Sequence, residues 1–346
     1  MKLADPGFDE AGPATRNAWF LDAVGRQIAF AKARVPFWRQ RLADAGVSEE
    51  DIQDLDDLAR IPILTKETLR ELPPASLLPE ESLGALKVCR WTSGTTGRPT
   101  VNFWAQNDWN ALVEVTARAL SRHAPGCPVS AFNGYSQAHL TGPLYDAALR
   151  SMGAIVFDRS HHSEEEFASA AQMALFRFNT LVLPDRAKRG KGVGVSDLLE
   201  SDRELLGRNG VLWWIGSSGT FAPAAIEAAR TQGVHSISNL YGSSEFGLFA
   251  VSCQHELEDF HIAQGHVLVE VVDASGTAVS SGRSGSIVVS HLAGLDGAGN
   301  ATIHAGTQLL RLANGDWATF IAEPCSCGLT TPRLRHIRRG PHERAS

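Results

Sequence analysis

The stretch WTSGTTGRPT, residues 91–100, holds the most chemically suggestive residues of the chain. Gly94 and Gly97 let a backbone turn tightly and approach an anion, while Ser93, Thr95 and Thr96 add hydroxyl donors and Arg98 adds positive charge. Such a loop can hold a polyphosphate, although a Ser/Thr/Gly-rich segment also reads as a polar surface turn. A second grouping is the C-x-C pair Cys325 and Cys327. Five cysteines in a long chain with no secretion signal at its start disfavour a disulfide framework and leave reduced thiols or metal ligands.

The elements that position these residues follow from composition and pattern. At 346 residues, with 43% hydrophobic and 20% charged residues, the chain can bury a large core and has neither a disordered nor a fibrous composition. A net charge of −6 argues against a nucleic-acid footprint, and no segment is long and apolar enough to cross a bilayer, so a cytoplasmic protein with small-molecule partners is expected. Residues 1–86 read as a helical lead-in, with Trp19, Phe20, Ala23, Val24, Ile28 and Ala31 at helical spacing. Over residues 87–251 short apolar runs (VSAF, GAIVF, TLVL, VLWWI, SISNL) alternate with the candidate helices 107–122, 140–151 and 223–231. That alternation predicts an α/β core with a mostly parallel, helix-covered sheet. Residues 252–337 read as strands between closely spaced glycines, a small antiparallel sheet or barrel, and 338–346 as a polar tail.

Beyond these patterns, WTSGTTGRPT matches the phosphate loop of the adenylate-forming (AMP-binding, ANL) superfamily, and its continuation, with Thr100, Val101 and Asp108, resembles the phenylacetate-CoA ligase branch. VPFWRQRLADAGV and DLDDLARIPILTKETLRE resemble the same branch upstream, so the likeness runs from about residue 35 to 337. It implies the ANL adenylation core and an ATP site in which Thr92, Ser93, Gly94, Thr95, Thr96, Gly97 and Arg98 meet the phosphates. NLYGSSEFG resembles the family's Y-G-x-[ST]-E motif, which implies Tyr241 on the adenine, Gly242 and Ser243 beside the nucleotide, Ser244 donating to a phosphate and Glu245 holding Mg²⁺. LLRLANGDWA resembles R-Y-x-T-G-D, with Arg311 at the arginine position and Asp316 on the ribose; Asn314 and Leu312 depart from that pattern, and alone an N-G-D triplet reads as a hairpin turn. FNGYSQAHLTG and WWIGSSG fall where the family places its acyl pocket, which makes Tyr135, His139, Gly216 and Ser217 the pocket candidates. The C-x-C-G segment, with a Cys and a His after the acidic motif, implies a structural zinc on Cys253, His261, Cys325 and Cys327. His255 is the alternative fourth ligand, and metal-free thiols are the other reading.

The resemblance implies activation of a carboxylic acid, aromatic or otherwise compact, to an acyl adenylate with release of pyrophosphate. Superfamily members usually continue into a mobile C-terminal lid domain, and that domain is expected to be absent, since the sequence stops at Ser346 and IRRGPHERAS lacks the hinge's acidic pair. A separate protein supplying a lid or an acyl acceptor is therefore a candidate partner. Two other functions stay open, nucleotidyl transfer to a non-carboxylate acceptor and nucleotide binding without turnover, as do the oligomeric state, a dimer included, and the identity of the acid.

Overall fold

Prolines set the starts of the first two helices. Pro13 occupies the first turn of α1 (Pro13–Arg34) and Pro36 that of α2 (Pro36–Asp44), where a missing N–H is not needed, and Val35 between them is extended, as a residue before proline prefers. In the computed structural model, which describes residues 6–80, 84–91, 99–158, 177–187, 193–217 and 219–340, α1 buries Phe20, Ala23, Val24, Gln27, Ile28 and Ala31 along one face. Gln27 is the polar member of that stripe. Its Nε2 donates to the His304 carbonyl at 2.9 Å and its Oε1 accepts from the His304 N–H at 3.0 Å. Trp38 of α2 likewise donates to the Gln308 carbonyl at 2.8 Å. Further along, α3 (Lys66–Glu71) is capped by Thr65. β1 (Leu86–Trp91) and β2 (Val101–Ala105) pair antiparallel with Trp91 opposite Val101, and α4 (Gln106–Ser121) follows.

The chain divides into two compact units, residues 1–115 with 243–246 and 258–346, and residues 116–242 with 247–257. The expected lead-in, residues 1–86, and nearly all of the expected β-rich stretch, 252–337, fall in the first unit, because contacts such as those of Gln27 and Trp38 join them. In the second unit lie β3 (Ser130–Asn133), α5 (Thr141–Ser151), β4 (Ile155–Asp158), β5 (Thr180–Val182), α6 (Val195–Ser201), α7 (Leu205–Arg208), β6 (Trp213–Ser217), α8 (Pro223–Thr231), β7 (Ser236–Ser243, whose last residue belongs to the first unit) and β8 (Gly247–Ser252). β4, β3, β5, β6 and β7 pair in that order, all parallel, with β8 beside β7. Every residue of β5 and β6 is buried, the pattern of strands covered on both faces. Phe132, Leu181, Trp214 and Ile237 from the strands pack with Leu198, Leu205, Ala225 and Ala229 from the helices in one core.

The C-terminal part of the first unit is strands without helices, as its sequence predicts. β9 (Asp259–Ile262), β10 (Val267–Val272), β11 (Ser284–His291), β14 (Leu312–Ile321) and β15 (Arg333–Arg339) form antiparallel pairs in the order β10, β11, β14, β15, β9, and β12 (Ala293–Leu295) pairs with β13 (Ala301–Ile303). Asn314, Gly315 and Asp316 are not a hairpin turn. They lie inside β14, where the register with β11 jumps from Ala313 opposite Val288 to Trp317 opposite Ser286, so on that side these three residues face only Ile287. The resulting bulge needs the positive φ of +84° at Gly315. Arg338 and Arg339, expected in the tail, belong to β15. No helix among the described residues is long and apolar enough to cross a membrane.

The clasp from Gln27 predicts a stability effect opposite to helix-face hydrophobicity. Gln27→Leu keeps side-chain volume and makes the stripe wholly apolar, yet it strips the partner from the buried His304 N–H. Unfolding in urea should show a loss of about 2–4 kcal/mol; an unchanged or raised midpoint would mean that the clasp contributes nothing.

Candidate active site

β7 carries Tyr241 and Gly242, and a turn at Ser243 to Phe246 then leads into β8, with the Phe246 N–H on the Ser243 carbonyl at 3.3 Å. Gly242 admits no side chain, since a Cβ there would lie 2.0 Å from the Gly247 carbonyl oxygen. Tyr241 meets Phe249 edge-on, ring centres 5.2 Å apart. The turn half-buries Ser244 and leaves the Ser243 hydroxyl buried with no hydrogen-bond partner, an atom with donor and acceptor capacity to spare for a ligand. Glu245 is 2% exposed, and Lys66 Nζ lies 3.3 Å from its carboxylate. Buried carboxylates need such a partner. No motif singles out Lys66, whose only trace in the sequence is ILTKET within the upstream resemblance.

Thr92, Ser93, Gly94, Thr95, Thr96, Gly97 and Arg98 lie outside the described residues; β1 and β2 flank them. Asp316 sits on the β14 bulge with its carboxylate 3.1 Å from Arg339 and its N–H on Asn314 Oδ1. Arg311 is fully engaged elsewhere in the first unit. At a positive φ of 46° just before β14, its guanidinium donates to Glu270 at 3.1 Å, to the Ile61 carbonyl at 2.9 Å and to the Gly276 carbonyl at 2.6 Å. Burial pushes the Glu270 carboxyl above its ordinary range, against the pull of Arg311. Arg311 thus anchors the entry to the bulge that presents Asp316.

In the second unit the Tyr135 hydroxyl accepts the Ser217 N–H at 2.7 Å and donates to the Ser217 carbonyl at 3.0 Å, and burial pushes its pKa up to about 12. Tyr145, a further residue the sequence did not single out, donates to the Gly216 carbonyl at 3.1 Å. Gly216 is required because a Cβ would meet Leu183 O at 2.4 Å and the Phe221 ring at 2.7 Å. Tyr135, Gly216 and Ser217 therefore form one group at the end of β6, whereas His139 is exposed.

His261, Cys325 and Cys327 come together in the first unit, their ligand atoms within 4.8 Å of one another. His261 Nε2 lies 3.3 Å from Cys327 Sγ and Nδ1 lies 3.0 Å from Thr331 Oγ1. With Thr331 accepting the Nδ1 proton, Nε2 keeps its lone pair toward the thiols, the second partner a metal-binding imidazole usually has. The 3.3 Å separation is close to the roughly 3.5 Å edge of a tetrahedron built on zinc–sulfur and zinc–nitrogen bonds. A tight turn forms the C-x-C knuckle, with the Gly328 N–H on the Cys325 carbonyl and Gly328 at φ +92°. This donor set fits zinc. His255 is exposed, so His261 and not His255 joins the pair, while Cys253 lies buried in the second unit with its Sγ accepting the His255 N–H at 3.4 Å.

No family model matches the chain. Among solved structures it is similar to 2-hydroxyisobutyryl-CoA ligase in an open conformation with 2-HIB-AMP and CoA, with a TM-score of 0.80 at 18% identity over 95% of this chain and 76% of that one. The same enzyme in its thioesterification state gives 0.79 at 19% identity over 96% and 70%. The fold is thus that of the adenylate-forming ligases. Among curated proteins, the phenylacetate-coenzyme A ligase of Thermus thermophilus is 31% identical over 92% of this chain and 68% of its own length, and that of Escherichia coli 29% identical over 77% and 60%. The chain belongs to the phenylacetate-CoA ligase family.

Tyr135→Phe tests the second-unit group. It leaves the Ser217 N–H and carbonyl without their buried partner and should lower stability by about 1–3 kcal/mol, read as a shift in the urea midpoint; an unchanged midpoint would show that water replaces the hydroxyl at no cost.

Proposed function

We propose that this chain activates a carboxylic acid with ATP, forming an acyl adenylate and pyrophosphate, and that coenzyme A is the acceptor of the acyl group. The observation that carries the reading is the buried carboxylate of Glu245, held with a cationic partner at the position of the acidic motif in a chain of this family. Magnesium, when bound by Glu245, would offset charge on the phosphates. Ser93, Gly94, Thr95, Thr96, Gly97 and Arg98, with Thr92 ahead of them, would line the phosphate chain, and Ser243 and Ser244 would donate hydroxyl protons to it. Tyr241 would cover the adenine beside Gly242, and Asp316, presented by the bulge that Arg311 anchors, would accept the ribose hydroxyl protons. A substrate carboxylate oxygen then attacks the α-phosphorus as the pyrophosphate oxygen departs, a displacement that depends on alignment and on charge stabilisation. No side chain need become covalently attached. Tyr135, Gly216 and Ser217 would line the acyl pocket, with His139 at its margin. The names of the curated relatives support an aromatic or otherwise compact acid.

A structural zinc on Cys253, His261, Cys325 and Cys327 completes the proposal. Its role is to fix the knuckle and β9, and it takes no part in the chemistry.

The experiment is a panel of carboxylic acids screened for pyrophosphate release and for exchange of labelled pyrophosphate into ATP. Exchange that requires an acid supports acid activation. Exchange without one would point to another nucleotidyl acceptor, and ATP binding with no exchange to a nucleotide-binding protein. Glu245→Gln keeps the shape of the side chain and weakens a hard-oxygen metal ligand, so acid-dependent pyrophosphate release should fall roughly 100-fold or more; undiminished turnover would remove Glu245 from the metal site. Metal analysis of protein purified without chelators should find one zinc per chain, lost in Cys327→Ser, and stripping it should lower thermal stability more than nucleotide affinity. Finding no zinc in the unaltered protein would sink that part.

A further inference from the structure

The metal knuckle and the N-terminal segment meet at two neighbouring threonines of the first unit. Thr331 is buried, with its Oγ1 3.0 Å from His261 Nδ1. Thr330, beside it, meets residues 319 and 314 positions away: its hydroxyl donates to the Ala11 carbonyl at 2.8 Å and accepts from Arg16 Nη1 at 3.2 Å. Arg16 Nη1 also reaches the Ala11 carbonyl at 3.0 Å, which closes a triangle. The Asp9 carbonyl lies 3.2 Å from the same hydroxyl, whose single proton goes to the shorter contact. Arg16 is buried, and burial works against its charge while Asp9 works for it. The triangle secures a helix start with little support of its own, since Gly12 at the N-cap of α1 has no side chain to accept the first N–H groups.

The knuckle and its surroundings fix both threonines. Just before them the Cys325 N–H bonds the Leu329 carbonyl at 3.1 Å, and just after them the Pro332 carbonyl takes the N–H of Ile262, the neighbour of His261, at 2.9 Å. We propose that Thr330 and Thr331 couple the metal knuckle to the N-terminal segment, so that zinc bound at the knuckle also holds residues 9–16 against it. Thr331 orients the His261 ring from outside the ligand set, and Thr330 carries the same constraint to Ala11 and Arg16. The first turn of α1 then depends on the metal, while the middle of the helix has its own tie through Gln27. The inference rests on the reading of His261, Cys325 and Cys327 as zinc ligands.

Amide hydrogen exchange of the full chain tests it, in protein as purified, after chelation and after zinc is restored, with metal content measured at each stage. The region to read is residues 16–20, which begins at the Arg16 N–H on the Gly12 carbonyl. Removing zinc should speed exchange there about tenfold, the value of one buried hydrogen bond, with β5 and β6 unchanged, and restoring it should reverse the effect. Thr330→Val should show the faster exchange with zinc still bound and no further response to its removal, whereas Thr330→Ser, which keeps the hydroxyl, should match the unaltered protein. Thr331→Val should weaken zinc binding roughly tenfold in competition with a chelator. The chelation arm carries the test if either valine variant does not fold. The inference is overturned if chelation speeds exchange at residues 325–331 and leaves 16–20 protected, or if β5 and β6 open to the same extent. It is equally overturned if Thr330→Val responds to zinc as the unaltered protein does, or if Thr331→Val binds zinc undiminished. Any of these with one zinc per chain leaves the zinc reading standing. Finding no zinc in the unaltered protein removes that reading and the inference together.

Discussion

A carboxylate with 2% of its surface exposed has lost most of its hydration and needs a partner in the fold to offset that loss, and Glu245 is such a group. Lys66 meets that requirement from α3, so the helical first part of the chain must fold against the segment that carries the acidic turn before the charge can be buried. Much of the first unit follows from this. α1 and α2 are tied to the His304 and Gln308 backbones by Gln27 and Trp38, so the region around β13 is held in place by helices some 270 residues earlier in the chain. The long sequence separation shows why residues 1–86 could not fold as a body of their own and keep these partners.

The two units solve the burial problem differently. In the second, Trp214 stacks on Phe221 at 4.2 Å, and aliphatic and aromatic side chains fill a single core between strands and helices. In the first, Asp9, Arg16, Asp108, Glu245, Asp259, Arg311 and Arg333 are all buried, whereas Arg118 is the one such acidic or arginine residue among the described part of the second. Those charges meet partners at fixed angles: Arg311 with Glu270, and Asp259 with both Arg333 and Arg335. Burial drives the Asp259 carboxyl upward, but the two arginines more than offset it and leave its pKa below the ordinary value. An apolar core fixes volume, while a satisfied polar network also fixes direction.

Legibility in the sequence followed the same division. The strands and helices of the second unit are visible because its apolar runs are short and bounded, with β5 and β6 buried throughout, and the start of α8 at Pro223 can be read from one residue. The Cys and His candidates are visible because metal chemistry restricts ligand type, and the structure distinguishes His261 from His255 by burial and by its closeness to the thiols. Lys66 and Gln27 are not legible, since each meets a residue far along the chain and neither stands in a local pattern that separates it from an ordinary polar residue. N-G-D is ambiguous in another way. Gly315 does adopt the positive φ that a turn would use, but the strand continues past it, and only the register with β11 distinguishes a bulge from a hairpin.

That bulge shows how a local irregularity and a distant ion pair depend on each other. A bulge turns its residues out of the regular alternation of the strand, so Asp316 can be offered to a ligand only if the strand on either side is held firmly. On the near side Arg311 locks the entry with Glu270 and two backbone carbonyls, and on the far side β14 pairs with β15 through Arg339 and Arg338. Loss of the guanidinium would leave Glu270 buried and unpaired as well as loosening the bulge, and a buried unpaired charge costs more than the pair contributes. An arginine engaged with Glu270 and two backbone carbonyls can therefore be as necessary to the aspartate as the glycine beside it.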